Sequence, residues 1–131
     1  MREILFRGKK TGFNEWVQGL IVSPCEKTMC ELKQTTPNVT WFVDAETVGQ
    51  YTGLTDKNGN KIFEGDIVAG AVRWLEMPKN GLVTFRGGAF GLLWYRGEAE
   101  QFNPFTSMCN IEYEVIGNIH DNPELLKGGA E

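Results

Sequence analysis

Sixteen glycines spread through 131 residues constrain this chain more than any other feature. They cut it into short runs rich in β-branched and aromatic residues, with few stretches that favour a helix. Such a pattern points to strands joined by tight turns. The segment Thr52–Val68, TGLTDKNGNKIFEGDIV, is the densest case. Asn58-Gly59 is a strong hairpin signal, because both residues tolerate the positive φ of a tight turn. Leu54-Thr55 lead in, Lys61-Ile62-Phe63 lead out, and Glu64-Gly65-Asp66 bends the chain into Ile67-Val68-Ala69. The segment therefore predicts a hairpin followed by a sharp bend, with Gly59 at positive φ. Asp56, Asn58 and Asn60 alternate as the first ligands of a calcium loop would. Counting from Asp56, however, the EF-hand glycine position holds Lys61 and the closing glutamate position holds Ile67, so the loop chemistry is missing.

The rest of the chain repeats this grammar. Ile4-Leu5-Phe6 reads as a strand that turns through Arg7–Gly12 and returns along Glu15–Val22. Trp41-Phe42-Val43 is strand-like and ends at Asp44. Leu82–Phe85 and Ala89–Tyr95 are joined by the turn Arg86-Gly87-Gly88. Ile111–Ile116 alternates apolar and acidic residues, as a half-buried strand does. Asn122-Pro123-Glu124 opens a short helix, with Asn122 as its cap. Cys25–Leu32 reads equally as a strand pair or a helical turn, and residues 96–110 as a loop or a short helix around Glu98–Phe102. Together these predict a mainly β, β-rich α+β fold. The expected arrangement is a compact barrel or sandwich of short antiparallel strands with a short C-terminal helix, in one domain over residues 1–131.

With 41% hydrophobic and 23% charged residues the chain is ordinary for a folded domain, and its net charge of −4 argues against a general nucleic-acid binder. The charge is uneven. Arg2, Arg7, Lys9 and Lys10 crowd the first ten residues, whereas Glu112, Glu114, Asp121, Glu124 and Glu131 dominate the tail. The two ends could pair within or between subunits, or stay solvated separately. Apolar runs of a few residues are too short to span a bilayer, and MREILFRGKK lacks the apolar core of a secretory signal. The expected location is the cytosol, which an odd count of three cysteines fits better than a disulfide framework does.

Three segments resemble the YopX proteins encoded by phages and prophages. They are Arg2–Arg7, then Val48-Gly49-Gln50-Tyr51-Thr52-Gly53-Leu54 continuing through Asp56-Lys57-Asn58-Gly59 to Ile62-Phe63-Glu64-Gly65-Asp66-Ile67-Val68, and then Val115–Leu126. The resemblance reaches both ends of the chain and is weakest over residues 70–110. It implies a phage or prophage protein in a bacterial host cytosol, with a tendency to form homo-oligomers. It supplies no reaction and no catalytic residue.

Catalytic material is sparse. His120 is the single histidine, and its place between a strand and a helix cap suits a structural hydrogen bond better than acid–base work. No nucleophile-elbow sequence surrounds Ser23 or Ser107. The four-residue gap of Cys25 and Cys30 is allowed in a zinc site, but Cys109 and His120 lack finger-like spacing, so neither a metal nor any other cofactor is expected. The glycines of Arg86–Gly91 lack the lysine of a phosphate loop. The remaining signal is aromatic rings beside arginines. Arg86, Phe90, Trp94 and Arg96, with Tyr51 from the resembling segment, form the candidate ligand-binding set. Stacking and guanidinium pairing suit a nucleotide-like ligand, although the same rings could simply fill the core. Three functions remain open. The first is non-enzymatic capture of a nucleotide-type signal of host defence. The second is a protein-interaction module docking on a host or phage protein, and the third is a nucleic-acid accessory protein.

Overall fold

The computed structural model describes residues 4–22, 29–35, 37–69, 80–96, 98–105 and 114–128. It is a mainly β protein with two antiparallel sheets and one short C-terminal helix. The chain divides into two compact units, Met1–Gly53 and Leu54–Glu131. Among the described residues neither sheet closes into a barrel.

The first unit contains β1 (Phe6–Lys9), β2 (Trp16–Ile21), β3 (Met29–Thr35), β4 (Asn38–Asp44), a 3-10 turn (Ala45–Thr47) and the start of β5 (Gly49–Thr55). The strands lie in the order β4-β3-β2-β1-β5. Alternation does the sorting here. In β2, Val17 and Gly19 are buried while Gln18 and Leu20 are exposed; in β3, Cys30 and Leu32 are buried while Met29 and Lys33 are exposed. The inward set Val17, Cys30, Leu32 and Val43 forms the core, with Phe6, Ile21 and Trp41 packed on it. Gly19 is required by space, since a Cβ there would stand 2.1 Å from the Lys33 carbonyl oxygen. Twist accumulates across these strands. The sheet curls until Lys10, just past β1, forms a single bridge with Val43 of β4, and the Thr11 N–H donates to the Phe42 carbonyl at 2.9 Å. Cys30 is disulfide-bonded, which corrects the expectation of reduced thiols; Cys25 and Cys109 lie outside the described residues.

The second unit holds β6 (Lys61–Phe63), β7 (Asp66–Ala69), β8 (Gly81–Arg86), β9 (Ala89–Arg96), β10 (Ala99–Pro104), β11 (Glu114–Asn118) and α1 (Glu124–Gly128). Its sheet runs β10-β9-β8-β7-β11 around the buried side chains of Ile62, Val68, Val83, Leu92 and Trp94. The expected hairpin is present, with Gly59 at φ 85°. Asp56 explains its shape. This nearly buried carboxylate accepts from the N–H groups of Asn58 and Asn60 through Oδ1, at 2.9 and 2.8 Å. Its Oδ2 accepts from the Asn60 amide at 3.2 Å and from the Val115 N–H at 3.0 Å. Burial alone would push the Asp56 carboxyl up; these donors outweigh it, the Val115 N–H foremost, and hold it below its ordinary value. The oxygens that imitate a calcium loop thus shape the turn itself. Asp66, also buried, accepts from the Phe63 N–H at 2.8 Å and fixes the following bend.

Two expectations change. The stretch Glu98–Phe102 lies in a strand and its preceding turn and not in a helix, for β10 pairs with β9 from Ala99↔Arg96 to Pro104↔Gly91. Cross-strand pairing outweighs the helix preference of Glu, Ala and Gln. Asn122 does not cap α1 with its side chain but accepts from the Asn118 N–H at 3.4 Å, inside the turn that leads to the helix. The start of the strand expected over Ile111–Ile116, residues 111–113, lies outside the described residues.

Candidate functional site

Of the five residues singled out by sequence, Tyr51, Phe90 and Trp94 are buried and Arg86 is exposed. Phe90 and Trp94 lie on β9, a central strand whose residues from Phe90 to Trp94 are all buried. Phe90 packs edge-on against Phe85, with ring centres 4.9 Å apart, and Trp94 belongs to the core. With the Asn103 amide turned to satisfy both its ends, the Trp94 indole N–H donates to its oxygen at 3.3 Å. Rings held this way present no face for a base to stack on. Arg86 is exposed at the end of β8, but its guanidinium donates to Glu100 at 2.7 Å and lies 5.8 Å from the centre of the Phe102 ring. The Glu100 bond keeps the Arg86 pKa above its ordinary value. Arg96 ends β9, paired with Ala99, and its side chain lies outside the described set. Tyr51 belongs to the first unit, on β5, and is buried.

An open aromatic–cation group exists elsewhere, in the first unit. Lys10, Thr11, Phe13, Glu15, Trp41 and Phe42 line a groove of about 260 Å³. Its floor follows from the curling of the sheet. The turn after β1 is held by the Lys10 N–H donating to the Glu15 carbonyl at 2.9 Å and the Phe13 N–H donating to the Lys10 carbonyl at 3.1 Å. The bond from Thr11 to Phe42 pins that turn against β4. Trp41 faces the core and is only half-buried; its indole N–H donates to Gln34 at 3.0 Å. The Lys10 ammonium stands 3.5 Å from the centre of the Trp41 ring and pairs with the Glu15 carboxylate. Phe13 and Phe42 are 70% and 57% exposed, more than a soluble surface usually leaves a phenyl ring. Nearby on β1, Arg7 lies over the Trp16 ring at 4.8 Å. Sequence reasoning passed over this group because Lys10 and Trp41 are thirty-one positions apart, and only the curl of the sheet joins them.

His120 is exposed in the turn before α1. The Asn118 side-chain oxygen accepts from the His120 and Asp121 N–H groups at 3.0 and 2.9 Å, so Asn118 organises this turn. Among the described residues no group of three or more His, Cys, Asp or Glu could hold a metal ion. No helix among them is long and apolar enough to cross a membrane.

The sequence model described as YopX protein matches residues 5–127. The chain is also similar to the solved structure titled "Crystal structure of protein EF1440 from Enterococcus faecalis". Identity is 24% over 96% of this chain and 99% of that one, with a TM-score of 0.49. No curated protein matches it.

Proposed function

The chain belongs to the YopX family, and from that premise we propose that it works by binding, without catalysis, as a module that docks on another protein through the groove of its first unit. The observation that carries this reading is the pair of exposed rings, Phe13 and Phe42, on the rim of one apolar groove. Exposed aromatic rings clustered on a cleft mark surfaces that other molecules cover. The volume suits one or two inserted side chains, below the usual range of about 300–1,000 Å³ for small-molecule pockets. The setting proposed is a bacterial cytosol, with the gene carried by a phage or prophage and the docked protein belonging to host or phage.

Capture of a nucleotide-type signal of host defence stands as the second reading, favoured by Lys10 set against Trp41. A base could take one ring face while the ammonium meets a phosphate. That ammonium is already paired with Glu15, and Arg86 with Glu100, so a phosphate would have to displace a carboxylate at either place. This ranks protein docking first.

The test is recovery of the full chain from phage-carrying cells, followed by denaturation. Docking predicts a stoichiometric protein partner that Phe13→Ala loses. A released, base-absorbing small molecule that Trp41→Ala loses would replace docking by capture. Recovery of neither would sink both.

A further inference from the structure

A strand at the edge of a sheet presents backbone N–H and C=O groups with which another chain can pair, and folded proteins guard such edges with charge, proline, bulges or shortness. Four strands end the two strand orders here, and three of them are guarded. β6 is three residues long and opens with Lys61; β10 carries Glu100 and ends at Pro104; β11 opens with Glu114 and its register breaks between Val115 and Gly117. β4 differs along Asn38-Val39-Thr40-Trp41. It has no charge or proline there, and its register with β3 runs unbroken from Thr35↔Asn38 to Met29↔Asp44.

Alternation shows which backbone groups of β4 are open. Successive residues of a strand turn their N–H and C=O groups to opposite sides. The Phe42 carbonyl accepts from Thr11 on the outer side of β4, so Thr40 and Asn38 also turn outward, while Val39, Trp41 and Val43 turn toward β3. Among the described residues only Lys10 and Thr11 meet that outer side. Thr40 therefore offers an N–H and a carbonyl, and Asn38 a carbonyl, beside the groove that Trp41 and Phe42 line.

We propose that the docked partner presents an extended peptide segment, which adds a strand to β4 along Asn38–Trp41. The inference rests on the docking reading above and names the form that the partner takes. Backbone pairing at Thr40 and Asn38 holds the segment, and its alternating side chains supply the selectivity. The segment residue beside Thr40 lies on the exposed face, in one row with the exposed Lys33. An acidic side chain there meets the Lys33 ammonium across Thr40. The residues on either side of it turn to the face of Trp41, where an apolar side chain enters the groove. The fitting segment thus reads apolar, acidic, apolar.

The experiment displays random heptapeptides to the full chain and measures the recovered peptides by calorimetry against wild type, Thr40→Pro, Thr40→Ala, Lys33→Glu and Phe13→Ala. Proline removes the outward N–H of Thr40 and no bond to β3, a position at which edge strands tolerate it. The recovered peptides are expected to carry an acid between apolar residues. Thr40→Pro should weaken them by about tenfold or more, and Thr40→Ala, which keeps the N–H, by no more than about threefold. Lys33→Glu should weaken them by about tenfold, and exchanging the peptide acid for lysine should recover most of that loss, the coupling that a double-mutant cycle reads. In wild type the bound peptide should slow hydrogen exchange at the Thr40 amide. Far-ultraviolet dichroism verifies that each variant is folded. Recovery of no peptide overturns the inference, as do an unprotected Thr40 amide, a Thr40→Pro that binds as tightly as wild type, or a Lys33→Glu without effect. Peptides that ignore Thr40→Pro but are lost by Phe13→Ala would leave docking in the groove standing and sink the added strand alone. Peptides lost by Thr40→Pro and kept by Phe13→Ala would uphold the strand and move docking off the groove.

Discussion

β4 and β9 carry similar aromatic signatures, Trp41-Phe42 on one and Phe90, Trp94 and Tyr95 on the other, yet only β4 offers an aromatic face to solvent. β9 runs between β8 and β10, and side chains cover it on both faces from Phe90 to Trp94. β4 comes last in the strand order of its sheet, with only the turn at Lys10 and Thr11 bonded along its outer side, and it is covered on one face. Its alternation therefore turns Trp41 inward and leaves Phe42 out. The residue types are shared; the difference lies in how many neighbours each strand has and how many of its faces are covered. Aromatic residues beside basic ones mark a binding surface only when the strand keeps a free face.

The sharpest way to break this contrast is to remove one indole from each strand. Trp94→Ala should cost about 3–5 kcal/mol, the usual penalty for emptying a core aromatic site. Trp41→Ala, at a half-buried site, should cost clearly less. Urea denaturation that finds equal losses would mean that the two strands are covered alike. Asp56→Ala comes next, at about 1–3 kcal/mol, because it strips a charged acceptor from the partly buried N–H donors of Asn58, Asn60 and Val115. Its pH dependence follows from the lowered carboxyl. The stabilisation from Asp56 is fully present above its ordinary value of 3.8 and is lost as pH falls through the depressed value in the folded protein. Acid titration of wild type against Asp56→Ala should show the gap between them closing in that range; a gap that stays constant would refute the role of the carboxylate. Gly59→Val should cost on the order of 1 kcal/mol or more, since a β-branched residue resists positive φ. An unchanged melting temperature would contradict the turn. Smallest of all in stability is Phe13→Ala, expected to leave the melting temperature where it is while removing partner binding. A large drop in melting temperature would show that Phe13 belongs to the structure and not to a surface.

How far the residues announced these features depends on the range of the forces involved. The hairpin at Asn58-Gly59, the bend at Gly65, the turn at Gly87-Gly88 and the short helix at Glu124 were all legible, because each is set by preferences within a few residues. β10 was not. Its alanine, glutamate and glutamine favour a helix locally, and only pairing with β9 makes it a strand. The burial of Phe90 and Trp94 was hidden for the same reason on a larger scale. Local sequence shows that Trp94 follows a strand period, but strand order decides that both faces of β9 are buried. The groove of Lys10 and Trp41 depends on a sheet curling back on itself, which no local signal records. The disulfide at Cys30 was hidden because an odd cysteine count says nothing of which thiols meet.

The two oxygens of Asp56 also set an order of events in time. Oδ1 is satisfied within four residues, by Asn58 and Asn60. Oδ2 binds Val115, 59 positions further along. A hairpin closes in about 1–10 μs, while a loop of that length closes against a larger entropy and only once β7 stands ready to receive β11. One carboxylate therefore takes part in both the early and the late stages of assembly. Stopped-flow folding of Asp56→Ala is the measurement that reads this order: contacts already made in the transition state slow folding when lost, and contacts made later speed unfolding.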